Sequence, residues 1–102
     1  KSINLIKIIE AEKEDCDGVV IDCMGDPGLQ GARECVSIPV IGPCETAMHF
    51  ASMLGHKFSV ITVLERLRPQ FENQSLLYGV SSKLASVKVP VSILETAVAN
   101  PM

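Results

Sequence analysis

Residues 19–29 constrain the fold more than any other stretch: Val19-Val20-Ile21-Asp22-Cys23-Met24-Gly25-Asp26-Pro27-Gly28-Leu29. An unbroken apolar run ends at a cysteine, a glycine-containing turn follows, and Asp-Pro opens a helical pattern. A continuous apolar strand, Gly18 to Asp22 here, is the kind buried on both faces of a parallel sheet. Asp26 before Pro27 predicts an N-cap and first helical position, where the missing proline N–H costs little. The stretch therefore places a thiol at the C-terminal end of a strand, beside a helix N-terminus. Open α/β sheets bind ligands at that edge, and a helix N-terminus favours a thiolate. Cys23 is the candidate catalytic residue on these grounds. The competing reading is a core residue, because free cysteine is among the most buried types.

The rest of the chain repeats this order. Residues 3–15 place Ile3, Leu5, Ile6, Ile8 and Ile9 among charged residues. That is compatible with an amphipathic helix capped by Ser2, or with a short isoleucine-rich strand at 3–9. Ala11-Glu12-Lys13-Glu14 favour the helix. Asp15 to Gly18 turn the chain. A helix to about Val36 follows the Cys23 turn, then a strand at Ile38-Pro39-Val40-Ile41-Gly42. A helix is expected from about Glu45 to Leu54, stopped by Gly55, with Met48, Phe50, Met53 and Leu54 as its core face. Phe58 to Val63 is the clearest strand. A helix from Glu65 to Tyr78 has Pro69 in its first turn and Gly79 at its end. A helical turn at Ser81 to Ala85 and a strand from Val87 to Leu94, irregular or at an edge because of Pro90, complete the pattern. Strand and helix in alternation imply an α/β fold, a parallel sheet with flanking helices.

Composition narrows the function. The chain has 102 residues, a net charge of -3 and 47% hydrophobic residues. That suffices for a core, and without a basic cluster or aromatic platform it argues against a nucleic-acid partner. No apolar run approaches the ~20 residues that span a bilayer, so no membrane role is expected. The cysteines are Cys16, Cys23, Cys35 and Cys44. They form no Cys-x-x-Cys pair, which weakens zinc and thioredoxin-like readings. We expect four reduced thiols in a cytoplasmic protein and no metal. The chain begins inside a helical pattern and ends at Ala97-Val98-Ala99-Asn100-Pro101-Met102 without a closing element. We therefore expect the middle of a longer protein, whose uncovered strand edges favour a homo-oligomer.

Other residues at the same edge carry two readings each. Asp26 caps the helix at Pro27 or contacts substrate. Met24 and Gly25 shape the turn, and their N–H groups suit a carbonyl or carboxylate. Such donors would stabilise negative charge on a bound group. Cys44 follows the second strand and is expected to line the pocket rather than react. Glu45 favours a helix dipole or binds ligand. Thr62 ends a strand and offers a hydroxyl to substrate or to the following turn. Arg66 and Arg68 are expected to be surface charges, and His49 and His56 structural or solvated.

Asp22-Cys23-Met24-Gly25-Asp26-Pro27-Gly28-Leu29, with Ala32-Arg33-Glu34, Ile38-Pro39-Val40-Ile41-Gly42, Glu45-Thr46-Ala47-Met48-His49 and Phe58-Ser59-Val60-Ile61-Thr62, resembles the hydantoin and allantoin racemase branch of the aspartate/glutamate racemase superfamily. The similarity runs from about residue 15 to 94. It implies a two-lobed α/β fold, of which this chain resembles the central portion. Residues 1–56 would be the later part of the first lobe, and 57–102 the start of the second. It also implies proton transfer next to a carbonyl of a small molecule, without metal, flavin or pyridoxal phosphate. Two cysteines act from opposite faces of the carbon, and Cys23 matches the first. The second lies far downstream in the family, and nothing past Leu94 matches it. A truncated, non-catalytic α/β module that binds small molecules or assembles with another subunit is the alternative.

Overall fold

The computed structural model describes residues 5–90. The chain divides into two compact units, Lys1–Ala47 and Met48–Met102.

In the first unit, helix α1 (Leu5–Glu12) precedes strand β1 (Val19–Val20), helix α2 (Leu29–Cys35), strand β2 (Val40–Ile41) and the start of helix α3 (Pro43–Leu54). The helical reading of the N-terminal isoleucines holds over these described residues; Ser2 lies outside them. β1 and β2 are parallel, with Val19 opposite Val40 and Val20 opposite Ile41. Backbone bonds lengthen the ladder at both ends: the Val19 N–H donates to the Pro39 carbonyl (2.9 Å) and the Ile21 N–H to the Ile41 carbonyl (3.0 Å). Side chains alternate across a strand. Ile21 and Val40 thus turn inward, joining Ile8, Leu29 and Ala32 in the core, with Val19 and Val36 packed against it. Glu12 ties the end of α1 to the segment after α2, its carboxylate accepting from the Ser37 N–H (2.8 Å) and hydroxyl (2.6 Å). Those two bonds hold its carboxyl below the usual range.

The second unit holds strand β3 (Phe58–Ile61), helix α4 (Arg68–Leu77) and strand β4 (Leu84–Lys88), with 3-10 turns at Glu65–Leu67 and Ser81–Lys83. β3 and β4 are also parallel, with Val60 opposite Val87, and α4 packs on β4. α4 ends in a Schellman motif. Gly79 adopts φ 73°, its N–H donates to the Leu76 carbonyl (3.1 Å), and the Val80 N–H reaches the Ser75 carbonyl (2.9 Å). This is why glycine, and not a residue with a Cβ, stands there.

Two expectations need correction, and a third gains detail. The last strand starts at Leu84 rather than Val87, because Ser81–Lys83 makes only one tight turn before the chain extends; its expected end at Leu94 lies outside the described residues. Arg68 lies at the surface as expected, and is paired there. Its guanidinium pairs with Glu65 (2.6 Å) and also donates to the Val87 carbonyl. On α3, Met48 is 2% exposed, whereas Phe50, Met53 and Leu54 are 57%, 75% and 75% exposed. At about 100° per residue these three share the face opposite Met48, so they cannot be buried with it.

Candidate active site

Parallel pairing sends the chain out of β1 and β2 at the same sheet edge. The β1 exit carries Cys23 and the β2 exit carries Cys44. Cys23 is half-buried and a free thiol, while Cys44 has no exposed surface. The Cys23 turn is tight. The Cys23 N–H donates to the Ile21 carbonyl (2.8 Å), and the Asp26 N–H returns to the Cys23 carbonyl (2.9 Å). Met24, at the tip, is 42% exposed. A second turn follows, with the Leu29 N–H donating to the Asp26 carbonyl (3.3 Å).

Helix α2 consequently starts at Leu29, not Pro27. Its N-cap is Gly28, in the left-handed region (φ 69°) with no side-chain cap. The expected capping of this helix by Asp26 is therefore wrong, for a physical reason. Asp26 itself takes φ 52°, which adds a turn before the helix and points its carboxylate elsewhere.

That carboxylate caps α3 instead. Asp26 Oδ1 accepts from the Cys44 N–H (3.0 Å) and Oδ2 from the Glu45 N–H (2.8 Å). The natural N-cap position of α3 is Gly42, which has no side chain to offer. Pro43 has no N–H, and the Thr46 N–H bonds the Gly42 carbonyl (3.0 Å). The donors of the first turn are thereby satisfied. A Cβ on Gly42 would lie 2.7 Å from Asp26 Cγ and Oδ1, and 2.8 Å from Leu29 Cδ2. Glycine is present because the capping carboxylate occupies that space.

Burial and the adjacent Asp26 carboxylate push the Cys44 thiol up to about 12. It stays protonated at neutral pH and is a poor base. The unfolded chain loses this proton near the ordinary thiol value of ~8.5, whereas the folded chain keeps it. Stability should thus fall as pH rises from about 9 to 12, with a slope approaching ~1.4 kcal/mol per pH unit. Urea titrations over this range should show a shallower loss for Cys44→Ala; equal slopes would contradict the assignment.

Glu45 is already paired. Arg33 donates to it through Nη2 (2.5 Å) and Nη1 (3.2 Å), and through Nε to the Val40 carbonyl (3.1 Å). A ligand contact by Glu45 would have to share that carboxylate with Arg33. Thr62 belongs to the second unit, where it is 8% exposed just beyond β3 and its N–H donates to the Lys88 carbonyl (2.9 Å). Sequence reading missed Gly42, Arg33 and the true partner of Asp26. The motif stretches contained Arg33, Gly42 and Glu45, but the contacts made there join positions 7 to 19 apart, which spacing does not encode. Among the described residues, no group of three or more His, Cys, Asp or Glu side chains could hold a metal ion. No helix among them is long and apolar enough to cross a membrane.

The parallel α/β arrangement fits the family that the motifs resemble. Residues 2–100 match the Asp/Glu/Hydantoin racemase family, and the chain belongs to it. It is 39% identical over 90 residues to a hydantoin racemase of Pseudomonas sp. (strain NS671), covering 87% of this chain and 36% of that protein. A hydantoin racemase of Rhizobium meliloti is 39% identical over 94 residues, covering 89% and 39%. Among solved structures, the allantoin racemase from Klebsiella pneumoniae superposes with a TM-score of 0.79 at 37% identity, over 93% of this chain and 41% of that one. The chain thus spans about two fifths of the length of the relatives it matches.

Proposed function

We propose that this chain supplies one of the two thiols of a cofactor-independent racemase or isomerase. The substrate is a small molecule with an acidic C–H beside a carbonyl: a hydantoin, allantoin or an amino-acid-like compound. The Cys23 thiolate takes the proton from one face, and the C–H electron pair moves onto the carbonyl oxygen as an enolate. A thiol on the opposite face returns a proton to carbon, the enolate collapses, and the two sulfurs have exchanged protonation states. The balance calls for no oxidant, reductant or Lewis acid.

The observation carrying this reading is the half-buried Cys23 at the β1 exit of a chain belonging to a racemase family. Cys44 is poorly suited to be the second thiol, since it leaves the same sheet edge, is fully buried and holds its proton. We assign the second thiol to sequence beyond this chain, in keeping with the share of the relatives that it spans. On the same reading, the Cys23 part and the β3–β4 part belong to two successive lobes. Met24 and Gly25 border the substrate, and the complete protein is a cytoplasmic homo-oligomer.

Deuterium incorporation from D2O into a single enantiomer of a 5-alkylhydantoin or of allantoin tests the proposal. One thiol alone can exchange the C–H from one face with retention, so incorporation should exceed the spontaneous rate and scale with protein concentration. Binding without exchange is the behaviour of a non-catalytic module and would contradict the proposal.

A further inference from the structure

We infer that Asp26 is a positioning residue for the Cys23 thiol: its carboxylate pins the turn that carries Cys23 to the first turn of α3, so that both strand exits move as one piece. The inference rests on Cys23 being the reactive thiol, as proposed above.

Asp26 is 6% exposed and is the one charged side chain buried among the described residues. A carboxylate tolerates burial only where hydrogen bonds replace water. Here each oxygen takes a backbone N–H of α3, from Cys44 and from Glu45. The main chain of the same residue faces the other way, its N–H bound to the Cys23 carbonyl at 2.9 Å. The hydrogen-bonded path thus runs from the Cys23 carbonyl through Asp26 to the α3 backbone. Asp26 also holds φ 52°, in the left-handed region that aspartate enters more readily than most side chains. Gly42 leaves the room for this carboxylate and no more. With both oxygens engaged by α3, Asp26 acts through the backbone of the Cys23 turn rather than on substrate. Proton transfer needs that fixity, because a 1 Å misplacement can cost about 10²-fold in rate.

The test uses Asp26→Asn and Asp26→Ala in the full chain, with two readouts. Brief iodoacetamide labelling at neutral pH, followed by peptide mass spectrometry, reports each of the four thiols. Amide hydrogen exchange reports the 23–26 turn and the first turn of α3. Asparagine keeps the shape and one acceptor but turns an NH2 towards an N–H. In both variants Cys44 should label at least about tenfold faster, because hydrogen bonds to a charged group that close it off are lost. The Cys23:Cys16 labelling ratio should fall toward one, and exchange in the 23–26 turn should rise together with that of Cys44 and Glu45. If Asp26→Ala labels all four thiols alike because it unfolds, Asp26→Asn decides. Faster Cys44 labelling with an unchanged Cys23 ratio and an unchanged 23–26 turn would overturn the inference, leaving Asp26 as a cap for α3 alone. A parent chain in which Cys23 is not the fastest thiol would overturn the reactive-thiol reading instead. The exchange coupling would still report whether Asp26 joins the two turns.

Discussion

Replacing Cys23 with alanine is expected to abolish catalysed exchange of the hydrogen next to the carbonyl while leaving the fold intact. General acid–base catalysis by a positioned group contributes about 10²–10⁴-fold, so the rate should drop by at least about 10²-fold. The thiol is half-buried and lies outside the packed cluster of Ile8, Ile21, Leu29, Ala32 and Val40. Its removal leaves no large cavity, and the unfolding midpoint should shift little. Two measurements made together, deuterium incorporation and thermal unfolding, separate this from a structural effect. Loss of exchange accompanied by a large fall in stability would mean that Cys23 holds the fold together instead.

Gly42→Ala should produce a large stability loss for the addition of a single methyl group. The new Cβ would meet Asp26 Cγ and Oδ1 at 2.7 Å and Leu29 Cδ2 at 2.8 Å. Neither neighbour can step aside cheaply, since Asp26 is held by two N–H groups and Leu29 is 3% exposed. Overpacking of this kind costs about 1–3 kcal/mol, and displacing the capping carboxylate adds about 1 kcal/mol. Gly31→Ala is the matched control. There the added Cβ meets only Leu5 Cδ1, at 3.9 Å, and alanine gains up to ~1 kcal/mol over glycine within a helix. The same chemical change should therefore carry opposite signs at the two positions in urea unfolding. A neutral Gly42→Ala would mean that the cap and the close approach do not exist as described.

How far the sequence could be read depended on the range of the interactions involved. Periodicity and local propensity report on neighbours, and what rests on neighbours came out well. The α1 helix, the parallel pairing of the Val19 and Val40 runs, the stop at Gly55 and the helical end at Gly79 were all legible. The Asp26 cap was not. Asp before Pro is a strong local signal for an N-cap, but the helix that the carboxylate serves begins 17 residues on, at Pro43. Position 26 adopts a left-handed conformation to reach it, and no local pattern records that. The Phe50, Met53 and Leu54 face failed for a related reason. Those residues look like a core stripe by composition, yet the helix turns Met48 inward and these three outward. At the candidate site, the strand-exit position of Cys23 was legible from the run alone. The burial that distinguishes Cys44 from it required the fold.

We propose that Cys23 is the most reactive of the four thiols. Competitive alkylation of the folded chain at neutral pH, with each cysteine followed by peptide mass spectrometry, tests it most directly. We predict that Cys23 labels first, half-buried Cys16 and Cys35 follow, and Cys44 labels last because it is fully buried and protonated. Labelling of Cys23 no faster than Cys16 and Cys35 while the fold is intact would contradict the account.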